Sequence, residues 1–311
     1  MGNLELKNGI LLAVLITIFC AQSHDVFSQV RKVPVFPDTL VGKKLVGVIQ
    51  YKAEELPGLL KEKAQLLLDY RCLNLYIASY AGKRNEGMAV ELYEFESSLE
   101  AFGLFSVVCD SIDFNGQPDY AVSKISNRIQ INLGTYVGFI YPSDPESSVE
   151  IPARVVDDVF FILNDVTSLE LLRIPLPFDE RARGSIRFVQ GREAWRSLKN
   201  PVIDIILPSV DTVSAYFAEY RKGRLGIRRG VFAFTGGRGK NLDTLYNTIY
   251  RSLDEGGRLR SRSRNVVWFD VANSQVHLVK MPEKLLLVIA AEDDPGAFEW
   301  MVYEARKEAK R

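Results

Sequence analysis

The stretch LNLYIASY at residues 73–80 returns in altered form as VSAYFAEY at residues 213–220. Both runs are rich in β-branched and aromatic residues, and both end in a tyrosine. Turn-forming residues follow each run, and a second run of the same kind comes after them, MAVELYEF at residues 88–95 and VFAFTGG at residues 231–237. Paired runs of this kind, separated by turn formers, predict one β-hairpin in each half of the chain.

The similarity between the halves extends beyond the hairpins. A helix is predicted after each one, at residues 97–108 and 241–253, because apolar side chains recur there at every third or fourth position. Three further strands follow each helix, and a closing helix is predicted at residues 153–165 and 296–311. A strand and a helix also precede each hairpin.

This order predicts an α+β protein made of two pseudo-repeats of ββαβββα. Tight turns between consecutive strands favour mainly antiparallel sheets, with helices on one face of each sheet. Prolines near residue 177 separate the copies, so we expect a signal peptide at 1–28, a first repeat at 29–176 and a second at 177–311. Because one copy alone would leave a sheet edge unpaired, the copies are expected to share a sheet or to pack face to face.

The first 28 residues are typical of a secretory signal peptide. Lys7 precedes thirteen uncharged residues at 9–21, and a membrane-spanning helix needs about 20 apolar residues. The residues before Gln29 fit a cleavage site, with His24 as the alternative start of the mature chain. Lipid attachment at Cys20 and an uncleaved anchor are the remaining alternatives. We therefore predict export to the periplasm or the extracellular space, with no transmembrane span in the mature chain.

Export would leave two cysteines in the mature chain, Cys72 and Cys109. An even number of cysteines in an oxidising compartment allows a disulfide between them. The alternative is a pair of buried free thiols, which behave as small apolar side chains.

The stretch VFAFTGGRGKNLDTLY at residues 231–246 resembles a phosphate-binding loop but departs from the motif. In the G-x-x-x-x-G-K-[ST] pattern, Phe234 stands in place of the first glycine and Asn241 in place of the hydroxyl residue. The dinucleotide pattern G-x-G-x-x-G fails at Leu242. The first repeat has no glycine at the equivalent junction, so we interpret the glycines as a strand-to-helix turn and predict no cofactor.

The charges are balanced overall, with 39 basic and 39 acidic residues, but they are unevenly placed. Residues 220–264 contain twelve Lys or Arg and three Asp or Glu. Residues 41–160 contain eleven basic residues and seventeen acidic residues. A neutral exported chain argues against nucleic acid as a partner. Its polarisation favours contact with an anionic envelope component or with a protein partner.

The basic region supplies the candidate binding residues. In an extended strand its four alternating arginines would lie on one side, and two further basic residues precede them. These candidates are Arg258, Arg260, Arg262, Arg264, Arg238 and Lys240. The alternative interpretation is a solvated segment that protects a sheet edge from aggregation.

Catalytic patterns are scarce in this chain. His277 is the only histidine after Gln29, and the alternation around it predicts a half-buried strand residue rather than a base. Glu91 and Glu94 would face opposite sides of their strand. No cluster has metal-ligand spacing, so we predict no metal site and name no catalytic residue.

Residues 59–106 carry a resemblance to a known family. Their Tyr-rich strand, Glu-x-Tyr strand and AFG helix have these residues at matching positions: Ala64, Asp69, Tyr70, Glu91, Tyr93, Ala101, Phe102 and Gly103. The segment resembles a family of uncharacterised secreted bacterial proteins, a domain of unknown function. The resemblance implies export and fold but no reaction, and the chain has Lys61-Glu62-Lys63 where the family has Asn-Gly.

These observations favour a non-catalytic binding or cell-envelope accessory module. A binding module is expected to carry an apolar cleft between its halves. The alternatives are a hydrolytic enzyme acting on envelope material, which would gather His277 or two carboxylates beside a pocket, and a charge-polarised protein that self-assembles.

Overall fold

The structure is a computed structural model that describes most of residues 36–291. The described segments are 36–82, 87–109, 120–123, 128–142, 175–177, 181–182, 184–222, 227–235, 241–263 and 265–291, together with Pro34, Asp294, Gly296, Glu299, Trp300 and Tyr303. Residues 36–311 form one compact unit, and residues 1–35 form another, of which only Pro34 is described. The predicted signal peptide and the predicted closing helix of the first repeat therefore lie outside the described residues.

The first half of the chain forms a seven-stranded sheet, called sheet A. Its spatial order is β1-β2-β3-β4-β7-β6-β5, and every neighbouring pair is antiparallel. The strands are β1 (Thr39–Leu40), β2 (Lys43–Lys52), β3 (Cys72–Ala81), β4 (Gly87–Phe95), β5 (Tyr120–Ser123), β6 (Arg128–Leu133) and β7 (Tyr136–Pro142).

The second half forms another seven-stranded antiparallel sheet, called sheet B. Its spatial order is β11-β12-β13-β14-β10-β9-β8. The strands are β8 (Arg187–Val189), β9 (Ala215–Lys222), β10 (Ile227–Thr235), β11 (Arg258–Arg262), β12 (Val266–Val271), β13 (Ser274–Lys280) and β14 (Lys284–Ala291).

Six helices in the described part of the chain accompany the strands, after a 3-10 turn at Ala53–Glu55. The polar residues before three of them cap the first turn: Ser97, Asn200 and Asn241 each accept a backbone N–H bond through the side-chain oxygen. The helices are α1 (Leu56–Leu60), α2 (Lys63–Asp69), α3 (Ser98–Val108), α4 (Arg192–Ser197), α5 (Pro201–Val210) and α6 (Leu242–Gly256).

The two sheets share one topology, as the repeat predicted. In each half a first strand is followed by helices, a hairpin, a longer helix and further strands, three in the first half and four in the second, and the last strand pairs with the second strand of the hairpin. Thus β2-β3-β4-β7-β6-β5 corresponds to β8-β9-β10-β14-β13-β12. Strand β1 is an extra edge strand beside β2 in sheet A, and β11 is an extra edge strand beside β12 in sheet B. The α+β class with mainly antiparallel sheets is confirmed.

One continuous core joins the helix-side faces of both sheets. It holds buried aromatic and aliphatic residues of the first half, among them Tyr70, Phe95, Phe102, Phe105 and Val137, and of the second half, among them Phe188, Trp195, Phe232, Phe234 and Phe269. A smaller cluster covers the opposite face of each sheet. The copies therefore form two separate sheets whose helix-bearing faces are buried in a shared core.

Direct hydrogen bonds reinforce the junction between the halves. The Tyr70 hydroxyl donates to the Phe188 carbonyl at 2.6 Å, and the Phe188 N–H donates to Ser106 Oγ at 3.2 Å. The Gln190 amide donates to the Asp69 carbonyl at 2.7 Å. Strand β8 of the second half is thus tied to α2 and α3 of the first.

Within the described residues, none of the helices has the length and apolar character needed to cross a membrane. The predicted closing helix of the second repeat is seen in part, because Glu299, Trp300 and Tyr303 are helical.

Candidate functional site

A pocket of about 280 Å³ opens at the end of sheet B, on its helix-side face. Its floor is formed by the cross-strand row Glu219–Gly230–Ile289 and the neighbouring pair Phe217–Phe232, because strands β9, β10 and β14 lie side by side there. The turn between α4 and α5 and the start of β13 close its sides. The lining residues are Leu198, Asn200, Phe217, Glu219, Arg229, Gly230, Phe232, Ser274, Ile289, Ala290 and Ala291.

Because Gly230 is a glycine and has no side chain, the space above it on the sheet is open to the pocket. In a sheet, residues opposite one another on adjacent strands pack side by side, so a larger residue at Gly230 would fill the row between Glu219 and Ile289. A Cβ atom at Gly230 would lie 3.0 Å from Cε2 of Phe217. The rings of Phe217 and Phe232 are themselves 4.6 Å apart between centroids, which makes the floor apolar and aromatic.

The charged groups near the pocket are divided between the two faces of sheet B. Glu219 lines the pocket, and its negative charge acts on Arg187, which stands opposite Phe217 on the neighbouring strand β8. Arg229 lines the pocket with its backbone, since successive side chains of a strand alternate and its guanidinium lies on the outer face, paired with Asp294. The pocket thus combines an apolar floor with one acidic residue in its lining, Glu219.

The outer face of sheet B buries a polar and aromatic cluster. Nη2 of Arg229 donates to Oδ1 of Asp294 at 2.9 Å, and the guanidinium carbon lies 5.3 Å from the ring centroid of Trp300. On the same face His277 stacks on Trp268 with ring centroids 5.5 Å apart. This cluster fastens Asp294 and Trp300, from the end of the chain, onto sheet B.

His277 is fully buried, where the sequence predicted a half-buried strand residue. Burial lowers the pKa of its imidazole to about 4, with the nearby Asp294 and Arg229 acting in opposite directions. The ring is therefore neutral at neutral pH, and it lies on the opposite face of the sheet from the pocket.

The first repeat has apolar residues where the second has this cluster. When the sheets are aligned on Tyr80 and Tyr220, the register places Met88 where Arg229 stands. The same alignment places Ile129 at the position of His277, and Val122 at that of Trp268. The buried polar cluster is therefore a feature of the second half and not of the repeat.

The predicted arginine candidates are only partly brought together. Arg258, Arg260 and Arg262 lie on the exposed edge strand β11, whereas Arg264, Arg238 and Lys240 lie outside the described residues. A bulge falls between Leu259 and Ser261, because both of these pair with successive residues of β12 and leave Arg260 as the extra residue.

The bulge breaks the expected alternation of the arginines. Arg260 forms an ion pair with Asp270, which also stands opposite Arg258. Arg262 instead lies over the ring of Tyr250, 5.3 Å from its centroid and on the helix side. The prediction that these arginines share one side of the strand is wrong, since the extra residue moves Arg262 to the other face.

The two candidate disulfide cysteines are reduced thiols in this structure, and both are buried. Sγ of Cys72 donates to the Asn74 carbonyl at 3.5 Å, and Sγ of Cys109 donates to Gln130. Burial raises the pKa of the Cys72 thiol to about 12, so this thiol is protonated and unreactive at neutral pH.

The two carboxylates singled out on β4 do lie on opposite faces, and neighbouring side chains engage both. Glu91 accepts hydrogen bonds from the hydroxyls of Tyr93 and Tyr141, at 2.9 and 3.1 Å. Glu94 accepts from the Asn74 amide at 2.7 Å and from the Tyr76 hydroxyl at 3.2 Å. These partners could not be identified from sequence, because they depend on the pairing of β4 with β3 and β7. In the part of the chain that the structure describes, no three His, Cys, Asp or Glu side chains are grouped to hold a metal ion.

The comparisons with known proteins do not place the chain in a family. No family model matches it, and no curated protein matches it. Two solved structures match, crystal forms I and III of TP0453, at 11% and 12% identity. The first match covers 86% of this chain and 98% of TP0453, the second covers 84% and 96%, and each has a TM-score of 0.24. A TM-score this low carries no argument about fold or function, and the resemblance to uncharacterised secreted proteins stays a prediction.

Proposed function

We propose that this protein is an exported, non-catalytic binding module that takes up a small ligand with an apolar body and a cationic group. The observation that carries the proposal is the pocket on sheet B, where Glu219 lines the wall next to the aromatic floor of Phe217 and Phe232. Ligand pockets are commonly apolar with a few placed polar groups, and a volume of about 280 Å³ suits a compact molecule.

The position of the pocket differs from the cleft expected between the halves. All of its lining residues belong to the second repeat, while the shared core fills the space where the helix-bearing faces of the two sheets meet. A ligand bound there would contact sheet B and the turn between α4 and α5, and the first half would support the pocket through β8.

The arrangement of titratable groups favours binding over hydrolysis. A hydrolytic centre needs an accessible base or two carboxylates beside the substrate. His277 is buried on the opposite face of sheet B, and Glu91 and Glu94 belong to sheet A, where tyrosine hydroxyls already hydrogen-bond to them.

Three ligands of one shape and different charge test this proposal. Calorimetric titration and thermal unfolding would compare benzylamine, benzyl alcohol and benzoate. We expect the amine to bind about two- to fivefold more tightly than the alcohol, because a partly solvated charge pair contributes up to about 1 kcal/mol. Benzoate is expected to bind most weakly, since its charge repels Glu219.

Two variants separate the roles of charge and space in this experiment. Glu219→Gln should remove the preference for the amine, and Gly230→Leu should weaken all three ligands by filling the floor. Glu283→Gln, an exposed carboxylate on the turn before β14, is the matched control and should change nothing. If a folded Gly230→Leu protein bound the three ligands as tightly as the unmodified chain does, the pocket assignment would be contradicted.

A further inference from the structure

Helix α6 carries two tyrosines on a face that stays partly open to solvent. Counted from the residue that caps each helix, the position of Tyr246 matches that of Phe102 in α3. Phe102 is 1% exposed, and every residue of α3 at Glu100–Ser106 is buried. Tyr246 and Tyr250 are instead half-buried, and they pack against the shared core. The second half thus exposes aromatic surface at a place that is covered in the first half.

A cation lies beside each of these two rings. The guanidinium carbon of Arg262 lies 5.3 Å from the ring centroid of Tyr250, and Nζ of Lys280 lies 5.9 Å from the ring centroid of Tyr246. Arg262 comes from β11 and Lys280 from the end of β13, and attraction to the rings holds both charges against α6. We call these four residues, Tyr246, Tyr250, Arg262 and Lys280, the α6 surface.

Most polar groups of the α6 surface are not engaged by the described part of the chain. Among the described residues, no hydrogen bond or ion pair involves the guanidinium of Arg262 or the hydroxyls of Tyr246 and Tyr250. Contact with a ring uses the charge of a guanidinium and leaves its fork of N–H donors available. Lys280 differs, because its ammonium pairs with Oδ1 of the exposed Asp243 at 2.6 Å.

The two cations act on the same hydroxyl. Burial raises the pKa of the Tyr246 phenol, and the positive charges of Arg262 and Lys280 act in the opposite direction. An anion beside this hydroxyl would therefore meet two cations and a hydrogen-bond donor together.

We propose that the α6 surface binds an acidic glycan, a chain of sugar rings that carry carboxylates and hydroxyls. Arg262 and Lys280 would pair with the carboxylates, and Arg262 can do so with two parallel hydrogen bonds. The hydroxyls of Tyr246 and Tyr250, which both donate and accept, would bond to sugar hydroxyls. The two rings are one helical turn apart, with centroids separated by 6.3 Å, which is close to the repeat of a glycan chain.

The mixture of charged and neutral donors favours a glycan over other anions. A peptide of acidic residues supplies carboxylates but no hydroxyls for the tyrosines, and a neutral glycan supplies hydroxyls but no partner for the cations. The α6 surface lies on α6, β11 and β13, whereas the floor of the pocket lies on β9, β10 and β14. The glycan proposal therefore does not depend on the ligand of the pocket.

Calorimetric titration of the purified chain at low salt tests this proposal with three probes. They are trigalacturonate, its methyl ester, which has the same rings without the charges, and triglutamate, which has carboxylates without sugar hydroxyls. We expect trigalacturonate to bind at least about tenfold more tightly than its methyl ester, since charge-assisted hydrogen bonds are lost in the ester. Triglutamate should bind about threefold or more weakly than trigalacturonate. Added salt should weaken trigalacturonate binding, because exposed charges are screened.

A matched pair of arginine variants tests the location of this site. Arg262→Ser should weaken trigalacturonate binding at least about fivefold, because it removes the cation whose donors are available. Arg258→Ser is the control, since Arg258 is an exposed arginine of the same strand that lies on the other face. This control should change binding less than about twofold.

Two further variants separate the hydroxyls from the charges. Tyr246→Phe combined with Tyr250→Phe keeps both rings, so it should weaken trigalacturonate about threefold and leave triglutamate unchanged. Asp243→Asn should strengthen trigalacturonate binding about two- to threefold, because it releases Lys280 from its ion pair and removes a negative charge from the surface.

Two results would overturn this proposal. One is a folded chain that binds trigalacturonate no more tightly than the methyl ester, or that binds neither. The other is an equal loss from Arg258→Ser and Arg262→Ser, or triglutamate binding as tight as that of trigalacturonate, which would indicate general attraction to polyanions. Circular dichroism of each variant establishes that the fold is intact before affinities are compared.

Discussion

Gly103 occupies a point where helix α3 approaches the rest of the core too closely for any side chain. A Cβ atom there would lie 2.3 Å from Cε1 of Tyr70 and 2.9 Å from Cδ1 of Phe188. Tyr70 is held by its hydrogen bond to the Phe188 carbonyl, so its ring has little freedom to move away. The glycine therefore allows α2, α3 and β8 to meet at the junction of the halves.

We expect Gly103→Ala to lower the free energy of unfolding by about 1–3 kcal/mol, the usual cost of overpacking a core. Alanine's better helix propensity, about 1 kcal/mol, would offset only part of that loss. Denaturant midpoints measure the change. Gly58→Ala, a helical glycine in α1 with open space around its Cβ position, is the control and should be neutral or slightly stabilising. Equal effects of the two substitutions would contradict this account.

Sequence could locate Gly103 but not explain it. The AFG pattern drew attention to the residue, and the spacing of Phe102 and Phe105 predicted its helix, confirmed at Ser98–Val108. The requirement for glycine comes from Tyr70 and Phe188, which are remote in sequence and meet α3 only after the halves join.

At the scale of single elements, β11 shows how one extra residue redirects charge. Its bulge leaves Arg258 and Arg260 near Asp270 on one face, while Arg262 lies over Tyr250 on the other. An anionic surface approaching the outer face of sheet B would therefore meet two arginines of this strand rather than three.

We predict that Arg258→Ser with Arg260→Ser weakens binding to vesicles rich in phosphatidylglycerol by about tenfold or more, since each cation near an anionic surface contributes roughly 1 kcal/mol. Arg262→Ser alone should change binding less than about twofold, because that side chain faces α6. Vesicle co-sedimentation at low and high salt measures this, and high salt should abolish the difference. An equal loss from Arg262→Ser would show that the strand meets the surface differently.

The element order was predictable because hairpin turns and helical spacing are local signals. The bulge was not, since it is defined by the pairing of Leu259 and Ser261 with successive residues of β12. The pocket escaped prediction for the same reason. Phe217, Gly230 and Ile289 come from three strands, and only their register shows that they share one floor.

At the scale of the whole molecule, the two repeats are halves of one unit. Residues 36–311 are a single compact body, and the shared core takes buried residues from both sheets. The repeat in the sequence predicted two copies that either share a sheet or pack face to face. It did not decide between these arrangements, because the periodicity of each copy shows which face is apolar and not what covers it.

We expect residues 36–311 to unfold in one cooperative transition, with equal calorimetric and van't Hoff enthalpies. The segments 29–176 and 177–311, produced separately, should fail to fold alone, because each would expose its part of the shared core to water. Calorimetry of the intact chain and circular dichroism of each segment measure this. A segment with its own cooperative transition would show that the halves are independent.

The positions of the tryptophans also determine which part of the molecule contributes to its intrinsic fluorescence. The chain has three tryptophans, and all of them belong to the second repeat: Trp195 in the shared core, Trp268 stacked on His277, and Trp300 over Arg229. Intrinsic emission excited at the red edge of the absorption band therefore comes from sheet B and its helices alone. The first repeat contains no tryptophan and does not contribute to this emission unless a fluorophore is introduced there.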